Sequence, residues 1–339
     1  MWQKIKNLTL CTLLAVMLIL LFINSKSVNL GAFKGLVVCA EIIIPSLFIF
    51  SVIGIFLVSS NCLSSLNKLI TPFSKFAFGL GGNLFFIFLI SLFSGYPIGA
   101  KLIDNSVKNK EIDESTANTI LCYCVNAGPA FVVLAVGEKV FLSKNLGYVL
   151  LLSHVLTSII FAVFLRSKIT NTKIAEKDSP QNLGDTFVSS VSDATHSIIN
   201  ICAFVVLFSV ICEVLKEYNL KLILPFFEIT TGIITTKNLY FSAFLLGFGG
   251  ISIQLQILSV IKSFKVNKLK FFLFRILHGV ISAIFTWGFI KILKLTLPVL
   301  SNNQSFASSI SSLSLGASVC FILSAIVLIS SLKTKKTAI

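Results

Sequence analysis

Charge is what this chain has least of. Asp, Glu, Lys and Arg together make up 12% of its 339 residues while 55% are hydrophobic, which leaves too little polar surface to clothe a soluble globule of this size. Acidic residues are the scarcer sign, 13 against 28 Lys and Arg. Histidine occurs only three times, and no His, Asp or further Cys stands near Cys122 and Cys124, the one close cysteine pair, to complete a metal set. Eight cysteines do not argue for disulfides either, because Cys11, Cys39, Cys202, Cys212 and Cys320 fall in apolar runs, where a thiol is a small core hydrophobe. The sequence therefore calls for no metal and no cofactor.

What it does have is a series of long apolar runs, with 32 Phe among them. Residues 8–23, 36–58, 80–98, 146–165, 198–215, 239–261, 271–290 and 307–332 are each long enough to span ~30 Å of hydrocarbon at ~1.5 Å per residue. The expected fold is an all-α polytopic membrane protein with about eight transmembrane helices. Two further apolar stretches, 117–136 and 222–234, are interrupted by Asn126-Ala127-Gly128-Pro129 and by Pro225, Glu228 and Gly232; they either cross, or enter the membrane and return. The run at 8–23 follows Lys4 and Lys6, yet no small-x-small cleavage site comes after Ile23, so it reads as a retained helix.

The net charge of +15 collects in connecting segments: Arg166, Lys168, Lys173 and Lys177, then Lys262, Lys265, Lys268 and Lys270, then Lys333, Lys335 and Lys336. Clusters placed so are the positive-inside signal and not a nucleic-acid surface. Both internal clusters can be cytoplasmic only if one interrupted segment fails to cross; treating 117–136 and 222–234 both as re-entrant gives eight crossings with both termini cytoplasmic. The chain then divides into an N-terminal helix (1–30), a first repeat (31–166), a polar linker (167–192), a second repeat (193–295) and a C-terminal helix with a basic tail (296–339). The repeats echo each other at an offset near 155 residues, Pro72-Phe73 against Pro225-Phe226 and Ser94-Gly95 against Gly249-Gly250. They are expected to be inverted, which is the pattern of a secondary transporter holding its substrate between two interrupted segments.

The stretch Ser94-Gly95-Tyr96-Pro97-Ile98-Gly99-Ala100-Lys101 breaks an otherwise continuous apolar run. Backbone groups freed there must be buried in protein or line a polar cavity, and a half-helix N-terminus presents N–H groups to an anion. The alternative is a kinked helix packed through glycines. Lys101 either neutralises an anionic ligand or snorkels to the headgroups. Around the second break, Gly249-Gly250, the polar Ser252, Gln254 and Gln256 alternate with Ile251, Ile253 and Leu255 in an extended-looking pattern; they bind substrate or pair between helices. Glu228 and, more weakly, Glu41 are acids within apolar surroundings, either proton relays or helix-end groups. His278 either titrates or hydrogen-bonds a backbone, while His154 and His196 read as structural. Ser252 with His278 imitates a membrane Ser/His protease, but a β-branched Ile253 follows the serine where a glycine is usual, so no catalytic residues are assigned.

Three motifs, Ser94 to Lys101, Asn126-Ala127-Gly128-Pro129-Ala130-Phe131 and Glu228-Ile229-Thr230-Thr231-Gly232, stand in the order and setting in which the chain resembles the sporulation integral membrane protein YlbJ family. That family is also called stage V sporulation protein V, and the resemblance covers roughly residues 30–330. It implies a nucleoside-recognition or Gate domain, shared with concentrative nucleoside carriers, and a role in endospore formation: moving dipicolinate across the outer forespore membrane. The expected site comprises Ser94, Gly95, Tyr96, Pro97, Gly99, Lys101, Asn126, Gly128, Glu228, Thr230, Gly249, Gly250, Ser252, Gln254, Gln256 and His278. Its expected partners are a small anionic substrate and the lipid bilayer, with a coupling proton or sodium ion and a homo-oligomer left open. A nucleoside-type carrier and a non-transporting component of the forespore membranes are the alternatives.

Overall fold

In hydrocarbon, a chain satisfies its own N–H and C=O groups most simply as helix, and helix is the only regular structure among the described residues. The computed structural model describes residues 2–60, 62–169, 182–220 and 222–295; the expected span 307–332 and most of the polar linker, 170–181, lie outside the described residues. In chain order the helices are α1 (Trp2–Ile23), α2 (Ser25–Ser59), α3 (Ser64–Phe78), α4 (Gly82–Ser94), α5 (Tyr96–Lys108), α6 (Glu114–Ile120), α7 (Phe131–Val140), α8 (Lys144–Leu165), α9 (Leu183–Glu217), α10 (Leu224–Phe227), α11 (Ile229–Thr236), α12 (Leu239–Phe248), α13 (Gly250–Val260) and α14 (Lys268–Ile292). Of these, α2, α8, α9, the α12–α13 pair and α14 are long and apolar enough to cross a membrane. The protein is thus an all-α polytopic membrane protein.

The two longest helices, α2 and α9, run antiparallel. Ser27 donates to Glu217 at 2.8 Å and Lys34 pairs with Glu213 at 2.8 Å near one end, and Phe56 meets Phe187 edge-on near the other. Between them Gly31 and Gly35, one turn apart, bring the backbones together: a Cβ on either would lie 2.7 Å from Val210 Cα or Val206 Cα respectively. Small residues at this spacing permit the close approach that drives helix association in lipid. A π-helical turn at Cys39–Ile43 interrupts the α-helical ladder of α2 just before Pro45, whose ring and missing N–H do not fit a regular helix interior.

The expected crossing at 80–98 is corrected. At Gly95 the chain takes φ +85, a conformation that glycine adopts without strain, and reverses. A Cβ on Gly99 would lie 2.8 Å from Ser91 Cβ, whereas residues eight apart on one straight helix are ~12 Å apart. The outer ends of both arms, Asn83 on α4 and Asn105 on α5, face one cleft of about 190 Å³. Helices α4 and α5 therefore form a re-entrant hairpin with its tip at Gly95. Its base lies at the end where Arg166 donates to Phe76 O and where Asp104 accepts from the backbone N–H groups of Lys262 and Ser263. Arg166 and Lys262 thus share one end, the basic end of the described residues.

Residues 117–136 are also corrected: they pass through. Asn118 is bonded to Lys265 and Asn267 at the basic end, whereas Gly137 on α7 packs on Gly147 near the start of α8, at the opposite end. Helix α6, an unwound stretch and α7 form an interrupted span. Residues 222–234 turn back instead, for a Cβ on Gly232 would lie 2.7 Å from Pro225 Cα, and this α10–α11 hairpin starts from the end opposite the basic loops.

The two halves consequently share an order: a long helix, a hairpin, an interrupted span and a closing helix. The order is α2, α4–α5, α6–α7, α8 in one half and α9, α10–α11, α12–α13, α14 in the other, with the hairpins entering from opposite ends. Gly95 therefore corresponds to the Glu228 hairpin, and Gly249 to the unwound stretch before α7. The sequence echo of Gly95 with Gly249 joined elements of different kinds.

Candidate functional site

The four interruptions converge. Where α5 begins, a Cβ on Gly99 would stand 2.0 Å from Cys124 O, and one on Gly128 would stand 3.1 Å from Phe93 O and 3.6 Å from Gly95 N. The first hairpin tip therefore lies directly on the unwound stretch of the first interrupted span. The second hairpin repeats this arrangement: a Cβ on Gly250 would lie 3.4 Å from both Phe226 O and Phe227 O. Between the halves, the Tyr96 hydroxyl donates to Leu246 O at 2.8 Å, joining the first hairpin to the last turn of α12.

Arg275 of α14 is the centre of this junction. Its guanidinium is fully buried at 0% exposure and donates to Val125 O at 2.7 Å, to Phe248 O at 3.4 Å and to Leu246 O at 3.4 Å. Its Cζ lies 5.8 Å from the Tyr96 ring. Among the described residues it forms no ion pair. A permanently charged group is thus held by the C-terminal carbonyls of one half-helix, where the helix dipole is negative, and by one carbonyl from the other interrupted span.

A buried polar chain continues from Arg275. Its Nη1 lies 3.4 Å from His278 Nδ1, and His278 Nε2 lies 3.1 Å from His154 O and 3.3 Å from Ser158 Oγ. With Nε2 carrying the proton, Nδ1 is free to accept from Arg275. Ser158 donates to Asn126 Oδ1, and Asn126 Nδ2 reaches Ser91 Oγ at 3.3 Å and Tyr123 O at 2.8 Å. Ala127 N donates to His154 Nε2 at 3.1 Å, which places the proton of that ring on Nδ1. Two side-chain atoms at this junction, His154 Nδ1 and the Tyr123 hydroxyl, are buried without a partner.

Sequence reasoning singled out Tyr96, Gly95, Gly99, Asn126, Gly128, Gly249, Gly250 and His278, and all of them meet here. Ser94 donates to Phe50 O on α2 at 3.0 Å, while Pro97 occupies the first turn of α5. Lys101 points elsewhere, to the Asp193 carboxylate at 3.0 Å and to Asp193 O at 3.2 Å on α9. Glu228 is 2% exposed and caps α11, accepting from Thr230 N at 3.0 Å and Thr231 N at 2.6 Å. The extended-looking Ser252, Gln254 and Gln256 are helical: Gln256 donates to Ser252 Oγ one turn back, whereas Gln254 leaves that face for Phe248 O at 3.4 Å. Arg275, Ser91, Ser158 and Tyr123 were missed, and His154 was read as structural. Arg275 did carry a signal, being a lone cation inside an apolar span, but it reads easily as an outlier of the lysine cluster that precedes it.

The fold and the junction define a polytopic α-helical membrane protein with two hairpins and two interrupted spans meeting in its interior. Among known proteins, the chain is similar to the sporulation integral membrane protein YlbJ of Bacillus subtilis (strain 168), at 22% identity over 307 residues covering 74% of each chain. The match supports a likeness to that family at a distant level. No family model matches it, and no solved structure does either.

Proposed function

We propose that the protein is a secondary carrier of a small organic anion, with the junction of the four interruptions as its substrate site. The observation that carries this reading is Arg275, a fully buried cation without a carboxylate partner among the described residues. A buried charge held by carbonyl dipoles, a histidine nitrogen and an aromatic face, with no carboxylate beside it, is costly, and an anion arriving beside it gains more than it would in water. The inverted halves support alternating access, in which one half rocks against the other around a central site. The conformation described is closed at the centre, because Tyr96 and Arg275 bridge the two halves; opening exchanges those bonds for bonds to the ligand.

Tyr96 supplies an aromatic face beside the cation, suited to a planar aromatic carboxylate. Together with the relationship to a sporulation membrane protein, this favours dipicolinate as the substrate, moved across the outer forespore membrane. Glu228 belongs to the fold of the second hairpin in this reading, and Lys101 holds α5 to α9.

Purified protein in proteoliposomes tests the proposal through uptake of labelled dipicolinate. Uptake above empty liposomes is expected, with loss in Arg275→Ala and partial retention in Arg275→Lys. Flux equal to that of empty liposomes, from protein that melts cooperatively, would remove the carrier reading. Uridine that competes with dipicolinate would redirect it to a nucleoside-type substrate.

A further inference from the structure

Interrupted helices at the centre of a membrane carrier supply two kinds of group. Half-helix N-termini offer N–H groups to anions, while unwound carbonyls and half-helix C-termini offer oxygen ligands to a coupling cation. In this protein three groups of the second kind are already occupied. Leu246 O and Phe248 O end the half-helix α12, Val125 O belongs to the unwound stretch between α6 and α7, and all three accept from the single guanidinium of Arg275. The carbonyls thus come from both inverted halves, as the ligands of a cation bridging them would. Gly249 borders the cradle, since a Cβ there would lie 3.7 Å from Arg275 Nη2, and its φ of +85 suits glycine.

We infer that Arg275 is a resident substitute for a coupling sodium ion, so that the protein moves its anion without co-transport of an alkali cation at this junction. The inference rests on the carrier reading for its functional consequence, but its structural content is separate. A guanidinium fixed to α14 supplies one positive charge in every conformation. It compensates the anion without entering or leaving, so a sodium gradient has no ion here on which to act. The carbonyls that would strip a sodium ion of its water are already paired, and a sodium ion placed beside them would meet a like charge at contact distance.

Two independent measurements test this. In proteoliposomes, dipicolinate uptake by the wild type is expected to stay within about twofold when sodium is replaced by potassium or choline at constant ionic strength, since an ion with no differential affinity for two states shifts neither. A rise of about tenfold or more with sodium, the mark of typical coupling energies, would overturn it. Separately from flux, the purified wild type is expected to bind no radiolabelled sodium saturably and to melt at the same temperature in sodium and choline chloride. Arg275→Met, which keeps much of the bulk and frees the carbonyls, is expected to gain a sodium-specific rise in melting temperature, because a ligand that binds only the folded state stabilises it.

Saturable sodium binding to the wild type overturns the inference even if the variant does not fold, as does a folded Arg275→Met that shows no sodium response. Absent dipicolinate flux together with a sodium response gained in Arg275→Met would reject the carrier reading while supporting the substitution.

Discussion

Replacing Gly99 by alanine probes the contact on which the whole junction is built, the seat of the first hairpin on the unwound stretch. The added methyl would lie 2.0 Å from Cys124 O and 2.8 Å from Ser91 Cβ. A relaxed carbon–oxygen contact is about 3.3 Å, so the hairpin or the unwound backbone must retreat by more than an ångström. Overpacking costs about 1–3 kcal/mol. The upper end applies, because the obstacle is a backbone carbonyl beside residues already tied by the Arg275 and His154 hydrogen bonds. The better helix propensity of alanine offsets about 1 kcal/mol, leaving a net loss of about 2 kcal/mol. Gly288 on α14 provides the internal control, since a Cβ there meets nothing within 4 Å. Melting in detergent can be followed with a thiol-reactive dye, because Cys39, Cys122, Cys124 and Cys212 are buried. With an unfolding entropy of about 2.1 cal/mol/K per residue, Gly99→Ala should melt about 3 °C lower while Gly288→Ala melts no lower than the wild type. Equal melting of the two variants would refute the close seating of the hairpin, and with it the reversal at Gly95.

Other perturbations address single contacts. Tyr96→Phe removes the bond to Leu246 O and leaves a buried carbonyl without that donor; a loss of about 1–2 kcal/mol is expected in melting experiments, together with faster labelling of Cys122 and Cys124 as the junction opens more often. Thr230 N and Thr231 N bond different oxygens of Glu228, so Glu228→Gln keeps one of the two capping acceptors and should lose part of the ~1 kcal/mol of stability that Glu228→Ala loses, while uptake and its pH profile match the wild type; a pH profile altered in the glutamine variant would restore a proton-coupling role for this acid. Asp104→Asn weakens the charge-assisted bonds that pin Lys262 and Ser263 to α5, with a loss of about 1–2 kcal/mol and quicker tryptic cleavage in the loop between α13 and α14. Gly35→Leu forces apart α2 and α9 where their backbones are closest and is expected to abolish cooperative melting, while Gly184→Leu, at the start of α9, leaves it intact.

Much of the architecture was legible from patterning alone. Apolar runs bounded by lysines give the helices at 36–58, 146–165, 198–215 and 271–290, because crossing lipid imposes a length and a composition that few other structures share. The break at Gly95 was legible for the same reason, since two glycines and a proline cannot stand in a lipid-facing helix unnoticed. The partner of that break was not. A run of apolar residues ending in glycine looks alike whether the chain turns back or passes through, and the choice at Gly95 depends on Ser91 and Gly99 facing each other across the turn. The weak repeat therefore matched Gly95 to Gly249, although one is a hairpin tip and the other an interruption within a span.

The same division holds at the site. Gly128 and Gly250 could be named from their setting, because a glycine beside an interruption anticipates close backbone approach. Lys101 and Glu228 could be named as charged but not placed, since only packing turns one toward Asp193 and the other onto its own helix. Taken by itself, the sequence determined that this is a polytopic membrane protein with interrupted segments, because hydropathy and backbone satisfaction act locally along the chain. The tertiary structure alone decided which segments reverse and that Arg275 gathers carbonyls from both halves. Those outcomes depend on contacts between residues as distant as Val125 and Arg275, which no local pattern encodes.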